Sequence, residues 1–442
     1  MTSPDEKLRA ELMRRLLADR KELPTTSAGR LGRTALTLLR IHRAANAVQS
    51  DVGEDGSNIE SIAAIVSSIG QLKGISMKVG QIMSYIDVAL PDELRNALSV
   101  LQTHAHAMPV ERVREIIREE LPDRAAELLA QLETEPVAAA SIGQVHRARL
   151  PDGTMVAVKV QYPEIERAIR SDFKPAVVGT TIASLVYPGA DIEDFIAEAR
   201  ARFLEECDYL HEAAAQRRFA ALYASDPVIA VPRIYDTYCS RHVLTSTWLD
   251  GTGFEAFVES QPPQHTRDRI GEALFGFYVG SLFTHRLYNC DPHPGNYLIL
   301  ADEHIGVLDY GCTREFESAF VAKLARLTLA VHRDEPQALH RAFLDLGMVR
   351  ESARYDFDTA RSLVRAFYGP MLKDVVQRVD LGEAKGMRDI FSSKRELMKL
   401  NLPGEFLFLF RIRFGLMSVL ARLGARANWY RLERQWVEAL ER

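Results

Sequence analysis

Asp291-Pro-His-Pro-Gly-Asn296 places a carboxylate and a carboxamide five residues apart on one short segment. Two prolines and a glycine make that segment a rigid loop, because proline fixes φ and lacks the N–H that a helix needs. Thirteen residues after Asn296, the apolar pair Val307-Leu308 delivers Asp309 to a turn at Tyr310-Gly311. A carboxylate oxygen and an amide oxygen are hard donors of the kind magnesium takes from protein. An Asp and an Asn can also simply cap a turn, and Leu-Asp-x-Gly alone carries little information. The order and spacing of the two segments carry the weight. His293, between the two prolines, is read as hydrogen-bonded within the loop rather than as a metal ligand.

Upstream, Ala138-Ala-Ala-Ser-Ile-Gly143-Gln-Val145 is followed by Val156-Ala-Val-Lys159. Small residues in a strand–turn–strand can lie close over a ligand, and the next strand carries a lysine in an apolar run. Such a lysine ordinarily snorkels to solvent. Here the spacing matches the kinase nucleotide clamp, with Ala138 and Ala140 in place of the first two glycines and Gly143 and Val145 in register. In that layout Asp291 and Asn296 fall at the catalytic-loop D-x-x-x-x-N, and Asp309 at the metal-binding Asp of D-F-G. The chemistry these segments predict is binding of ATP or ADP with Mg²⁺. Lys159 would hold the α- and β-phosphates, with Ala138, Ala139, Ala140, Ser141, Gly143 and Val145 around the nucleotide. Asn296 and Asp309 would hold the metal, and Asp291 would act as base or water-positioning group, so that Asp291 and Lys159 are the catalytic candidates.

The 442 residues carry 55 Lys+Arg against 60 Asp+Glu, a formal net charge of −5, with 47% hydrophobic and 26% charged residues. These values fit a soluble globular chain and exclude a disordered or collagen-like one. With an acidic balance and one short basic stretch, no nucleic-acid partner is expected. Cys207, Cys239, Cys290 and Cys312 form no C-x-x-C pair, so neither a zinc site nor a redox motif is signalled and a reduced cytosolic setting is expected. The N-terminus lacks a signal-peptide pattern, and the apolar run Phe406–Phe410 is broken by Arg411 and Arg413. No uncharged apolar run reaches the ~18–20 residues of a membrane span. The expectation is a cytoplasmic chain, peripheral if it meets a membrane at all.

Residues 1–56 read as a polar helical segment. Between Glu22 and Asp51 there is no acid, and Arg30, Arg33, Arg40 and Arg43 punctuate an amphipathic helix. Such a helix either packs on its own protein or lies on an anionic lipid surface. Residues 57–135 form a helical extension, with Ile62, Ile65, Ile69, Leu72 and Ile75 near helical spacing. Residues 136–250 read as a small antiparallel-sheet lobe with a helical insertion at 164–222. Its strands are placed at 137–141, 144–150 and 155–160, with a further pair at 233–238 and 242–248. Residues 251–442 are mostly helical. The order predicts an α+β, bilobed, protein-kinase-like fold with a helical N-terminal extension.

On these residues the chain resembles the UbiB-like atypical kinases, also known as ADCK or coenzyme-Q-type kinase-like proteins, from about Ile59 to Val331. Lys78-Val-Gly80-Gln81 resembles the family's K-x-G-Q motif, Ala138–Gly143 its alanine-rich loop, Asp291–Asn296 its D-P-H-P-G-N segment and Glu206-Cys-Asp208 its E-x-D motif. The resemblance implies that the K-x-G-Q helix folds over the nucleotide site and that Glu206 and Asp208 engage this regulatory extension, with Lys78 as cationic partner. It also implies that Glu212 stands at the helix-C glutamate and pairs with Lys159. Ubiquinone and other prenyl-lipid pathways, and an altered nucleotide preference, are implied in the same way. Helical spacing alone sets Glu205, Asp208 and Glu212 on one face if the helix is straight, with Glu206 elsewhere.

The chain departs from the family pattern at several positions. Asn289-Cys290 stand where members commonly show His-Ala, Tyr310 replaces the D-F-G Phe, and Thr247 stands where an acid is frequent. Hinge backbone groups can still hold adenine, so base preference stays open. The C-terminal membrane spans of some members are absent from this sequence. Beside an ATP-dependent kinase or ATPase, two other readings stand: a nucleotide-gated lipid-binding or scaffold protein, and a small-molecule kinase. A prenyl lipid or an anionic membrane is the further partner considered, and the sequence does not set the oligomeric state.

Overall fold

The computed structural model describes residues 108–140, 142–163, 165–166, 204–349, 355–380 and 404–441. The basic stretch at 30–43, Lys78, Gly80, Gln81, Ser141 and most of the insertion at 164–203 lie outside the described residues. The chain divides into two compact units. Described residues within 108–153, 157–208 and 240–243 belong to the first; those within 154–156, 209–239 and 244–441 belong to the second.

The first unit is built on β1 (Ala138–Ala139), β2 (Gly143–Arg149) and all but the first two residues of β3 (Met155–Gln161). β1 and β2 pair antiparallel, Ala138 opposite Val145 and Ala139 opposite Gln144. Side chains alternate along a strand, and on β3 Val156, Val158 and Val160 are fully buried while Met155, Ala157 and Lys159 take the more open face. The turn at Pro151-Asp-Gly153 forms as expected: Gly153 takes φ +88° and its N–H donates to the Leu150 carbonyl at 2.9 Å. Helix α1 (Val110–Glu120) buries Val113, Ile116 and Ile117, a stripe at helical spacing. A short α2 (Ala125–Leu129) follows. Gln144 holds the entry to α1, its Oε1 accepting from the Met108 N–H at 2.6 Å and its Nε2 donating to the Met108 carbonyl at 3.1 Å.

The second unit opens with α3 (Tyr209–Leu222). Its sheet runs in the order β4 (Ile229–Ala230), β9 (Ile305–Val307), β8 (Tyr297–Leu300), β6 (Gly251–Gly253), parallel between β4 and β9 and antiparallel elsewhere. β7 (Leu287–Asn289) and β10 (Thr313–Glu315) form a separate antiparallel pair. α4 (Phe254–Glu259) and α5 (Gln264–Phe275) follow β6. α5 continues through a π turn at Gly276–Gly280 into α6 (Ser281–His285). The remaining helices are α7 (Ser318–His332), α8 (Pro336–Asp345), α9 (Phe357–Tyr368), α10 (Gly404–Leu423) and α11 (Trp429–Ala439). Among the described residues no helix is long and apolar enough to cross a membrane.

Two local expectations are corrected. β5 (Val243–Thr247) is present, but its partner predicted at 233–238 contributes only the bridge Ile234–Ser246 before a 3₁₀ turn at Asp236–Tyr238. The Tyr238 N–H turns back to the Tyr235 carbonyl at 2.9 Å, which ends the pairing. The helix before α3 also breaks at Cys207-Asp208, so the straight-helix face shared by Glu205, Asp208 and Glu212 does not form.

The C-terminal helices are joined to α7 by a buried ionic cluster. Glu433 on α11 is fully buried and pairs with Arg413 of α10 through one oxygen and with His332 Nε2 of α7, at 3.1 Å, through the other. The Arg413 guanidinium lies over the rings of Phe367 and Tyr368 on α9, 4.7 and 4.6 Å from their centroids. Burial pushes the Glu433 carboxyl up, but the Arg413 charge and the His332 bond outweigh it and hold the group below the usual carboxylate range. Removing one partner of such a pair leaves an uncompensated buried charge. Glu433→Gln should therefore lower unfolding free energy by about 3–5 kcal/mol, measured by denaturant titration. Because the folded-state value is depressed, the wild-type advantage should be full above the ordinary carboxylate pKa and shrink as pH falls through the folded one.

Candidate functional site

The loop Asp291–Asn296 is closed by its own polar groups. Asn296 Nδ2 donates to Asp291 Oδ2 at 2.9 Å and to the Asp291 carbonyl at 3.2 Å. The His293 N–H donates to the Asp291 carbonyl at 2.8 Å, and the Gly295 N–H donates to His293 Nδ1 at 3.1 Å. His293 thus serves the loop, as its sequence context suggests. Beneath the loop the buried Tyr278 hydroxyl reaches the Asp291 carbonyl at 3.4 Å, and Tyr297 hydrogen-bonds Tyr278 at 2.8 Å. Burial raises both phenols well above their ordinary values, so the pair is a neutral hydrogen-bonding support.

Asp309 is brought to the same loop by two ties. The Leu308 N–H donates to the Asn296 carbonyl at 3.0 Å. Asn289 supplies the other, its Nδ2 donating to the Asp309 carbonyl at 2.8 Å and its Oδ1 accepting from the Asp291 N–H at 2.9 Å. The Asp309 carboxylate accepts from the Gly311 N–H at 2.9 Å, which fixes the turn. A Cβ on Gly311 would stand 3.3 Å from Asp309 Oδ1 and 3.4 Å from Glu212 Oε2, so two carboxylates converge on this glycine and a side chain there would press on the Asp309 carboxylate. Glu212, in the first turn of α3, is buried. Tyr310 is also buried, packing on Phe219 of α3 at 5.2 Å between ring centroids and on Phe277 at 6.5 Å. That stack holds the Asp309–Gly311 turn against the helix that carries Glu212.

The structure therefore brings Asp291, Asn296, Asp309 and Glu212 together within the second unit. Ala138, Ala139, Ala140, Gly143, Val145 and Lys159 lie in the first. There the Ala140 N–H donates to the Gly143 carbonyl at 2.8 Å, closing the turn of the β1–β2 hairpin, with Ala138 and Ala139 exposed. Lys159 lies between two fully buried valines on β3, on the more open face. Glu206 lies just before the break at Cys207, and the Asp208 N–H turns back to the Glu205 carbonyl at 3.0 Å. Asn289 was legible only as a departure from the family pattern; its bridging position depends on β7–β10 pairing, which no spacing rule displays.

Asn289→Ala removes a buried donor and a buried acceptor together, leaving their partners unsatisfied. Losing such a group costs about 1–3 kcal/mol. The variant should unfold at lower denaturant by that amount; an unchanged midpoint would mean that the bridge does not hold the two segments.

Residues 100–343, more than half of the chain, match the family of ABC1 atypical kinase-like domains. The chain is 34% identical over 281 residues to a protein named atypical kinase COQ8, mitochondrial, of Saccharomyces cerevisiae, covering 63% of this chain and 56% of that one. It is 27% identical over 379 residues to AarF domain-containing protein kinase 1 of Xenopus tropicalis, covering 84% and 72%. Among solved structures, Rv3197 of Mycobacterium tuberculosis, in complex with erythromycin, is similar with a TM-score of 0.62 at 26% identity, covering 91% of this chain and 97% of that one. The chain spans little more than half the length of the yeast relative. The α+β protein-kinase-like fold and the UbiB-type resemblance are both upheld, and the chain belongs to the ABC1 atypical kinase-like family.

Proposed function

We propose that this chain binds a nucleotide with Mg²⁺ and acts as an atypical kinase or ATPase. The observation that carries this reading is the convergence of Asp291, Asn296 and Asp309 through the Asn289 bridge and the Leu308–Asn296 bond. The donor set suits the metal. With Nδ2 given to Asp291, Asn296 has its carboxamide oxygen to offer a cation, beside the Asp309 carboxylate. Among the described residues no group of three or more His, Cys, Asp or Glu forms a metal site. One carboxylate and one amide make too few ligands for a dedicated cage. They suit magnesium, which takes its other ligands from phosphate oxygens and water. When bound, the ion would neutralise charge on the phosphates.

The remaining roles rest on the sequence motifs and on the family resemblance. Lys159 is assigned to the α- and β-phosphates and Glu212 to orienting that lysine. The Ala138–Val145 hairpin is assigned to covering the nucleotide. Asp291, its loop braced by Asn296 and Tyr278, would accept the proton of the attacking hydroxyl or water. Rate would come from positioning and charge neutralisation, as phosphoryl transfer generally requires. Lys78, Gly80, Gln81, Glu206 and Asp208 are assigned to a regulatory extension on the strength of the resemblance.

The test is thermal stabilisation by ATP and ADP, with and without Mg²⁺. A ligand at 100 times its Kd should add about 2.7 kcal/mol. Asp309→Asn should abolish the Mg²⁺-dependent part. Asp291→Asn should keep the stabilisation and lose about 10²–10⁴-fold in phosphate release, the range for a general base. No stabilisation of the wild type by either nucleotide would refute the reading.

The resemblance, together with the COQ8 relative, also supports a place in quinone or prenyl-lipid metabolism. The acceptor or ligand would then be a prenyl-lipid-like small molecule, and Rv3197, a similar protein, takes a small-molecule ligand, erythromycin. The basic stretch Arg30–Arg43 supports contact with an anionic membrane surface. Charge reversal at Arg30, Arg33, Arg40 and Arg43 should abolish co-sedimentation with anionic liposomes. Equal pelleting of the variant would remove that role.

A further inference from the structure

In the β7–β10 ladder Thr313 stands opposite Asn289, Arg314 opposite Tyr288 and Glu315 opposite Leu287. Carried one residue past the strand ends, the same register sets Cys312 opposite Cys290. The Cys290 N–H donates to the Cys312 carbonyl at 2.7 Å, and four pairs along the same register the Phe316 N–H donates to the Arg286 carbonyl at 2.9 Å. Hydrogen-bonded pairs recur at every second position of an antiparallel ladder, and Cys290 and Cys312 stand at such a position, just past the ladder's end and joined by one of its two bonds. Residues directly opposed in this way project to the same face, with Cα atoms about 5.5 Å apart. That separation is inside the ~4.4–6.8 Å over which a disulfide can close.

Both side chains are thiols, Cys290 buried and Cys312 partly exposed. We propose that Cys290 and Cys312 are a reversible disulfide-forming pair, a modification site for hydrogen peroxide, whose closure disturbs the segments that carry Asp291 and Asp309. Cys312, the accessible member, attacks first. Its sulfur bonds to one peroxide oxygen as the O–O bond breaks, giving a sulfenic acid and, with a proton, water. The Cys290 sulfur then attacks the Cys312 sulfur. The S–S bond forms as the S–O bond breaks, and the second oxygen leaves as water. Two thiols are oxidised, one peroxide is reduced and two waters are released; a thiol reductant reverses the change. The other cysteines do not compete, since Cys207 is fully buried and burial pushes the Cys239 thiol up to about 11.

Closure acts directly on the candidate site. Cys290 adjoins Asp291, and Cys312 adjoins Gly311, whose N–H holds the Asp309 carboxylate at 2.9 Å. Opposed Cβ atoms at about 4.5–5.5 Å must come to about 3.5–4.5 Å, a pull of roughly 1 Å on both segments. The consequence for nucleotide binding rests on the function proposed above; the disulfide itself does not.

The experiment treats the intact protein with hydrogen peroxide and reads it by mass spectrometry and thermal unfolding. A mass lower by two hydrogens is expected, with a Cys290–Cys312 cross-linked peptide that dithiothreitol removes. Cys290→Ala and Cys312→Ser should each abolish the cross-link, and Cys290→Ala installs a residue the family commonly carries there. Oxidation should shrink the Mg²⁺-nucleotide stabilisation of the wild type and leave that of Cys290→Ala unchanged. Absence of the cross-link, or its persistence in Cys290→Ala, overturns the pair. A cross-link that leaves nucleotide stabilisation intact overturns the disturbance of the site. If the reduced protein binds no nucleotide, the proposed function fails while the mass measurement still decides the disulfide.

Discussion

The bridge made by the Asn289 carboxamide is the constraint on which the candidate site depends. One side chain, buried at the end of β7, donates to the Asp309 carbonyl and accepts from the Asp291 amide. Both of its partners are backbone groups, so the bridge fixes where the two segments run rather than where a single side chain points. The carboxylates are then placed by short local bonds: Asp309 by the Gly311 N–H, Asp291 by Asn296 Nδ2. This is economical because a carboxylate held by nearby donors loses little further entropy when a cation arrives. Gly311 lies at the same point, with the Asp309 and Glu212 carboxylates 3.3 and 3.4 Å from where its Cβ would stand.

The second constraint is aromatic. Tyr310 takes the position of a Phe in the kinase motif and keeps the apolar role, packed on Phe219 and Phe277. Its hydroxyl has no hydrogen-bond partner among the described residues. A buried hydroxyl left unsatisfied costs stability. The stack that places the Asp309 turn beside α3 is therefore kept by dispersion and area burial, not by polar satisfaction. Ring stacking and carboxamide bridging act on neighbouring residues of one turn, one from α3 and one from β7.

How far the sequence could be read depended on the kind of interaction. The strand at 155–160 and the Pro151-Asp-Gly153 turn are local, and both appear as expected. The D-P-H-P-G-N loop was legible because proline and glycine fix its backbone almost regardless of context. The pairing predicted at 233–238 stops after the Ile234–Ser246 bridge because the Tyr235 carbonyl is taken by a local 3₁₀ bond, a competition that residue types do not reveal. Cys207-Asp208 broke a helix whose continuity had been the premise for grouping Glu205, Asp208 and Glu212. The Cys290–Cys312 juxtaposition was invisible for a different reason: it follows from strand register, and the two cysteines are far from C-x-x-C spacing.

The C-terminal helices, beyond the span 100–343 that matches the family, bear on the site from behind. A Cβ on Gly415 of α10 would stand 2.7 Å from Pro292 Cγ, so the helix backbone lies directly against the rigid loop of Asp291. Only glycine permits that approach. Two residues earlier on the same helix, Arg413 is held by Glu433, and Glu433 by His332. Buried ion pairs are weak contributors to net stability but steep in their cost when broken, so they fix one arrangement against near alternatives. The cluster thus sets the rotation and height of α10, and α10 sets the back wall of the loop. From Glu433 on α11 to Pro292 beside Asp291 the chain of contacts is continuous, through Arg413 and the Gly415 turn of α10.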